Sequence, residues 1–269
     1  MQRRFKDKTV LITGGTSGIG LAGAERLIQE RAALVIITGR TPARVESTTR
    51  RLGEHAIVLH DDVSDGKTLE RLLPVVERHG PIDALWLNAA CAVGAPVEDM
   101  DRTMIEAQFQ VNVVAPMLQM GALSPHLRNG GAVLVTSSSA VYEGQPQISL
   151  YAATKAAILA AARSWAAELA PRNIRVNTLV PGPITSNLRS VLPDDLRPQF
   201  EEKLAETVLL KRVGDPHEAA EHVDALRGEP QVPHHRDARL GQCPHAGCPG
   251  GAALELDGVG PGLHETYRA

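Results

Sequence analysis

Tyr151 and Lys155 stand four residues apart in Tyr-Ala-Ala-Thr-Lys, Ser138 lies thirteen residues upstream, and a glycine-rich stretch, TGGTSGIG, opens at Thr13. Residues four apart share one helix face, so the phenol and the ammonium are expected to point into the same space. A free tyrosine has a pKa of about 10 and is a poor base near neutrality. A neighbouring ammonium stabilises the phenolate and is expected to draw that value toward working pH. A serine at a strand end can donate to an oxygen on which charge develops. A Tyr–Lys pair alone is usually two surface residues. The serine and the glycine turn make it a candidate for proton exchange at an oxygen-bearing carbon.

The turn itself lies in KTVLITGGTSGIG, which reads as strand, turn and helix. Gly14 permits a tight exit from the strand, and Gly18 and Gly20 let backbone approach a ligand and helix pack on sheet. With Thr16, Ser17 and Ile19 they are expected to cradle a dinucleotide, its pyrophosphate held by the free N–H groups of the helix start. The second strand ends Ile37-Thr38-Gly39-Arg40, with no acid to accept from the adenosine ribose. A guanidinium can fork onto a 2′-phosphate, so NADP(H) is predicted ahead of NAD(H), although most arginines are simply solvated.

Further residues fall at strand ends. Asp62 is expected to accept from the adenine amino group, with Val63 packed nearby and Ser64 capping the next helix. Asn88 either knits neighbouring strands or lines the cofactor crevice. Beyond the sixth strand Pro181-Gly182-Pro183 redirects the chain, and Ile184 and Thr185 are expected to meet the nicotinamide carboxamide. Lys155 is also expected to bond the nicotinamide ribose, whose ring adds positive charge beside Tyr151 when oxidised. Asn112, in a long upstream helix, is expected to hold a water that returns the proton to Tyr151 through the lysine.

These residues need a scaffold that gathers strand ends. Apolar runs at 9–13, 34–38, 56–60, 84–88, 132–137 and 175–180 alternate with amphipathic segments at 18–30, 42–52, 67–78, 101–127, 151–170 and 216–227. That alternation predicts an α/β fold: a doubly wound parallel sheet, a Rossmann-type three-layer αβα single domain spanning 1–269. Residues 184–210 read as a substrate lid over the sheet's edge. Residues 224–250, rich in Pro, His and Gly, show neither helical nor strand period and are expected to be irregular.

Composition narrows the classes. The chain has 269 residues, 43% hydrophobic, 22% charged and 3% aromatic, with net charge −3. Nothing basic points to nucleic acid, and no run approaches the roughly 20 apolar residues of a membrane span. No apolar stretch of signal-peptide length precedes the first strand, so a cytoplasmic protein is expected. Three cysteines, Cys91, Cys243 and Cys248, make no disulfide framework. His234, His235, Cys243, His245 and Cys248 lack a persuasive zinc spacing, and no metal is expected.

Taken together, the motifs resemble the single-domain branch of the short-chain dehydrogenase/reductase family. TGGTSGIG is similar to its TGxxxGIG, and Ser138, Tyr151 and Lys155 to its serine and YxxxK set. Asn112 falls where the family has a helix asparagine, Asn88 matches the second asparagine of NNAG, and Val180-Pro181-Gly182 and RVGDPHEAAEHV resemble two later motifs. The likeness runs from about residue 5 to 223. It implies reversible hydride transfer between a nicotinamide and a carbonyl or alcohol, and a homo-oligomer, tetramer or dimer, with close packing at Ala156–Ala162.

Departures accompany the likeness. NNAG stands as Leu87-Asn88-Ala89-Ala90, and Arg31 lies where a helix often ends in glycine. The expected closing strand is echoed only by Leu254-Glu255-Leu256-Asp257-Gly258. A reading-frame shift across roughly Asp224–Ala238 accounts for this: one GC-rich back-translation, moved by one base, reads CVANPKYHTTGT and resembles the family text. A native tail is the open alternative.

Three functions follow. The first is an NADP(H)-dependent carbonyl reductase or alcohol dehydrogenase. The others are a dinucleotide-binding sensor or scaffold without turnover, and an NAD-linked sugar or sterol dehydrogenase. The substrate would be a small molecule in a pocket lined by 140–148, 91–96 and 184–210, and its identity stays open.

Overall fold

The computed structural model describes residues 4–186, 197–227 and 237–240. Seven strands form one parallel sheet in the order β3-β2-β1-β4-β5-β6-β7. They are β1 (Thr9–Ile12), β2 (Leu34–Gly39), β3 (Ala56–His60), β4 (Ile82–Leu87), β5 (Leu127–Thr136), β6 (Arg175–Pro181) and β7 (Asp237–Leu240). Helices α1 (Gly18–Gln29), α2 (Pro42–Leu52), α3 (Thr68–His79), α4 (Arg102–Phe109), α5 (Ala115–Leu123), α6 (Ser149–Leu169), α7 (Arg197–Thr207) and α8 (Pro216–Ala220) connect them. This is the Rossmann-like αβα arrangement expected.

Successive strand residues feed two separate cores, as a pleated sheet buried on both faces requires. Leu11, Ile36, Leu85 and Val133 pack with Leu72, Leu123 and Ile158. Their neighbours Val10, Ile12, Val35, Ile37, Trp86 and Leu134 pack on the other face with Ala24, Leu27, Val223 and Leu226. The chain order reverses between β1 and β4, which opens a crevice at the carboxyl ends of those strands. Every candidate residue named above from β1 to β6 lies at or near that edge.

Three expectations are corrected. The helix over 101–127 is α4, a wide π turn at Gln110–Val114, then α5. The wide turn brings both Asn112 and Val113 into the interior. Ser64 caps nothing: its N–H and hydroxyl both bond Asp62 Oδ1, at 2.9 and 2.7 Å, and α3 begins after Lys67. Asp62 thus competes locally for the polar groups that a cap would need.

The third correction lies in 224–250. Residues Glu221–Leu226 form a 3-10 turn with Val223 and Leu226 buried, and β7 pairs with β6 in register Thr178↔Asp237 through Pro181↔Leu240. An open sheet edge presents unpaired N–H and C=O groups that an extended segment satisfies whatever its side-chain period. Residues 187–196 of the expected lid lie outside the described residues. So do 228–236 and 241–269, with the tail histidines and cysteines and the Leu254–Gly258 echo. Arg31 does end its helix in the left-handed region, at φ 72°, a conformation that favours glycine. No helix among the described residues is long and apolar enough to cross a membrane.

Candidate active site

The glycine turn leaves β1 with Gly14 at φ 67°. A Cβ there would meet Ala89 Cα at 2.7 Å, so glycine is needed on both backbone and packing grounds. Thr16 is buried and packs against Gly39 of β2, and Ile19 lies in the first turn of α1, partly packed on the core. The start of α1 suits an anion. Ser17 precedes it without capping it by its side chain, and no acidic residue occupies the first turn. Near Gly18, among the described residues, Ser186 Cβ alone falls within 4 Å of an added Cβ, at 3.6 Å, which leaves room for phosphate oxygens. The residues present fit a dinucleotide.

Asn88 resolves its two readings in favour of knitting. Its Nδ2 donates to Gly14 O at 3.1 Å and its Oδ1 accepts from Thr136 Oγ1 at 3.1 Å. The backbone N–H groups of Asn88 and Ala89 donate to Thr13 Oγ1 at 3.1 and 3.2 Å. The side chain therefore shapes the cradle from within.

On the adenosine side, Arg40 is exposed, and among the described residues its guanidinium has no carboxylate partner. Asp62 spends Oδ1 on Ser64, and its other oxygen has no hydrogen-bond partner among the described residues. Val63 is half-buried beside it. Asp61 is buried and bound to Arg71, so it is a structural anchor.

Ser138, Tyr151 and Lys155 meet at the ends of β5 and α6. Ser138 stands close enough to the Tyr151 phenol to favour its phenolate. The serine oxygen accepts from Ala140 N at 3.2 Å, which holds the rotamer. Lys155 is 2% exposed and donates to Thr136 O at 2.8 Å. Its Nζ sits 5.8 Å from the Tyr151 ring centroid. Ser137 Oγ donates to Lys155 O at 3.0 Å and ties α6 to the strand end.

Electrostatics differ from the expectation. Burial pushes the Tyr151 phenol up to about 12, outweighing Ser138, which lowers it. Burial pushes Lys155 down to about 8. The lysine is engaged by a neutral carbonyl, so in this state desolvation decides both values. The phenol holds its proton.

Asn112 is 2% exposed, and its side chain is committed within the protein. It accepts from Cys91 N at 2.9 Å and donates to Cys91 O at 2.8 Å and to Thr154 Oγ1 at 3.0 Å. The amide hydrogens are both used, so only the second lone pair of Oδ1 is left for the relay water expected on that amide.

After β6, Pro181 is buried, and Pro183 O accepts from Gly214 N at 2.9 Å. Thr185 N donates to Gly214 O at 2.9 Å, and Ile184 bridges Gly214. Gly182 and Ile184 are half-buried and Thr185 exposed. Asp215 and Glu218 form a capping box on α8, and Arg212 forks onto Glu218, so this return is rigidly built.

Sequence reasoning passed over Thr136 and Thr154, and had Cys91 only as the start of the pocket lining 91–96. The Cys91 thiol feels Arg40 and Lys155, which favour its thiolate, and Asp62, which opposes it; burial outweighs them and raises its pKa. Thr136 was detectable as a polar residue closing the apolar run Ala132–Val135.

Comparison with known proteins agrees with this geometry. Residues 8–197 match the short chain dehydrogenase family model. Dehydrogenase/reductase SDR family member 4 of Homo sapiens is 35% identical over 238 residues, covering 85% of this chain and 84% of that protein. Tropinone reductase-like 3 of Erythroxylum coca is 33% identical over 222 residues, covering 79% and 83%. A dehydrogenase/reductase structure from Sinorhizobium meliloti 1021 superposes with a TM-score of 0.75 at 28% identity, covering 84% of this chain and 89% of that one. The strand order, the glycine cradle and these likenesses lead to one conclusion: the chain belongs to the short-chain dehydrogenase/reductase family and is an oxidoreductase of that family.

Proposed function

We propose that this protein is an NADP(H)-dependent reductase of a carbonyl substrate, the reverse alcohol oxidation being the same reaction run backward. The observation that carries the reading is buried Lys155, its Nζ 5.8 Å from the Tyr151 ring centroid, with Ser138 at the adjoining end of β5. When bound, the nicotinamide supplies or takes the hydride. Gly14, Thr16, Ser17, Gly18, Ile19 and Gly20 would hold the pyrophosphate and Arg40 the 2′-phosphate. Asp62 and Val63 would hold the adenine, and Pro181, Gly182, Ile184 and Thr185 the carboxamide side. Asn88 contributes from beneath, through Gly14.

Tyr151 delivers a proton to the substrate oxygen while Ser138 donates to that oxygen as it gains charge. With its pKa pushed up to about 12 by burial, the phenol carries its proton near neutrality, as a donor to a carbonyl oxygen must. Lys155 stabilises the phenolate left behind and returns a proton through a water, with Asn112 holding the wide turn in place. The coca relative's name, tropinone reductase-like, also refers to reduction.

We further take the protein to be a cytoplasmic homo-oligomer, dimer or tetramer, built as one domain with 184–210 over the substrate. Support for association is the outer apolar face of α5, where Met117 and Leu118 are 44% and 54% exposed, with Ala156 and Ala160 exposed on α6. Sequencing the DNA across Asp224–Ala238 decides the frame question; an intact frame ends the shift.

The test of activity is nicotinamide absorbance with a panel of ketones. Tyr151→Phe is expected to lose about 10²- to 10⁴-fold in turnover while dinucleotide affinity holds. Full turnover by that variant refutes the role of Tyr151. Binding of dinucleotide with no turnover on any ketone would favour a sensor or scaffold. Tighter binding of NAD than of NADP would instead favour a sugar or sterol dehydrogenase.

A further inference from the structure

Thr136 serves both halves of the site. Its carbonyl accepts from Lys155 Nζ at 2.8 Å. Its hydroxyl lies between Trp86 Nε1, at 2.8 Å, and Asn88 Oδ1, at 3.1 Å.

Chemistry sets the direction of this chain of bonds. An indole N–H can only donate, so Thr136 Oγ1 must be its acceptor. The hydroxyl's single hydrogen is then left for Asn88 Oδ1. With Oδ1 as acceptor, the Asn88 amide turns Nδ2 toward Gly14 O, where it donates at 3.1 Å. An asparagine amide has two orientations of similar shape, and only its partners choose between them. Here the acceptor-only Gly14 carbonyl makes the choice, and the Thr136 hydroxyl, held as acceptor by Trp86, supports it with its one hydrogen.

Trp86 cannot withdraw from its part. The ring is 0% exposed and occupies the space where a Cβ on Gly23 would stand. The reverse orientation of Asn88 would set Nδ2 against the Thr136 hydroxyl and Oδ1 against Gly14 O, two acceptors face to face.

We propose that Thr136 is a positioning residue. Through Asn88 it fixes the Gly14 carbonyl of the dinucleotide turn, and through its own carbonyl it fixes Lys155, so the cradle and the proton-exchanging pair keep one register. The functional half of this inference rests on the nicotinamide reading above; the relay itself does not.

Thr136→Val removes the hydroxyl at nearly constant volume and keeps the carbonyl, whereas Thr136→Ser keeps both. Only Trp86 and Trp165 give indole signals, so cofactor-free ¹⁵N-labelled protein reports the relay directly. In Thr136→Val the Trp86 indole proton is expected to move upfield and the Asn88 side-chain amide pair to shift; in Thr136→Ser both stay near wild type. NADPH titration by fluorescence is expected to show about ten-fold weaker binding, near 1.4 kcal/mol, for Thr136→Val. Thr136→Ser should remain within about two-fold, and the Val variant should raise the KM for dinucleotide more than it lowers kcat. An unmoved Trp86 indole in Thr136→Val, or a serine variant as impaired as the valine one, overturns the inference. A relay intact by resonance in a wild-type protein that binds neither NADPH nor NADH overturns the reading of the site, and the coupling to a cradle with it.

Discussion

Asn112 grips Cys91 by both backbone groups, accepting from its N–H at 2.9 Å and donating to its carbonyl at 2.8 Å. The same amide donates to Thr154, whose hydroxyl donates to Tyr151 O at 2.8 Å. The loop after β4 and the first turn of α6 are therefore joined through one buried side chain, presented by the wide turn between α4 and α5.

Asn112→Asp keeps the acceptor but replaces both donors with charge, facing the Cys91 carbonyl at close range. A buried polar group without a partner costs about 1–3 kcal/mol, more for a charged one. We expect a lower midpoint in urea and turnover reduced about ten-fold or more. A variant with wild-type turnover at neutral pH would show that Tyr151 does not depend on this junction.

Lys155 gives stability a pH dependence whose sign can be stated. Its pKa falls from 10.5 unfolded to about 8 folded, so between those values the unfolded chain binds more protons and stability rises with pH. Below about pH 8 the buried ammonium costs its full penalty; above about 10.5 it costs nothing. Tyr151, raised from 10.0 to about 12, works the other way, but only above pH 10. Between pH 8 and 10, among the described residues, only the Cys91 thiol, also raised by burial, opposes the lysine, and comparison with Lys155→Met cancels that contribution. By urea unfolding, a gain in that window for wild type, absent from Lys155→Met, is expected; parallel curves for the two proteins would refute it.

Much of this site was legible because its parts sit where the chain changes element. Gly14, Asp62, Asn88, Ser138 and Pro181 are strand ends, and apolar runs locate strand ends well. Tyr151 and Lys155 were legible through helical spacing. What sequence could not give is what each polar group does inside. Asn112 read as a water holder because its amide has four bonding positions, and the register that spends three of them depends on a π turn with no sequence mark. The Tyr151 pKa shows the same divide: spacing puts an ammonium nearby, whereas the burial that holds the phenol high is a property of the packed site. β7 was missed because edge pairing is satisfied by backbone alone.

Arg40 offers a test of cofactor choice. It follows Gly39 at the end of β2, exposed, with no carboxylate partner among the described residues, beside a turn that presents no acid. Charge-assisted hydrogen bonds to a phosphate contribute about 1.5–3 kcal/mol. Arg40→Ala is expected to weaken NADP binding about ten- to a hundred-fold and leave NAD within about three-fold, read as separate Kd values at fixed ionic strength. Equal losses for both cofactors would assign Arg40 a general electrostatic role.

Gly23 and Gly121 should respond oppositely to the same substitution. Both lie within helices, α1 and α5, where replacing glycine by alanine normally adds about 1 kcal/mol of stability. At Gly121 nothing among the described residues stands within 4 Å of an added Cβ, and that gain is expected in full. At Gly23 the added carbon would fall inside the Trp86 ring. The ring is fully buried and bonded to Thr136 at 2.8 Å, so it cannot yield without breaking the relay to Asn88. Overpacking of this kind costs about 1–3 kcal/mol, which exceeds the propensity gain. Urea midpoints should therefore rise for Gly121→Ala and fall for Gly23→Ala, the latter with weaker NADPH binding as the cradle shifts. A Gly23→Ala protein more stable than wild type would mean that Trp86 is free to move, and the fixed direction of the Trp86–Thr136–Asn88 chain would lose its physical basis.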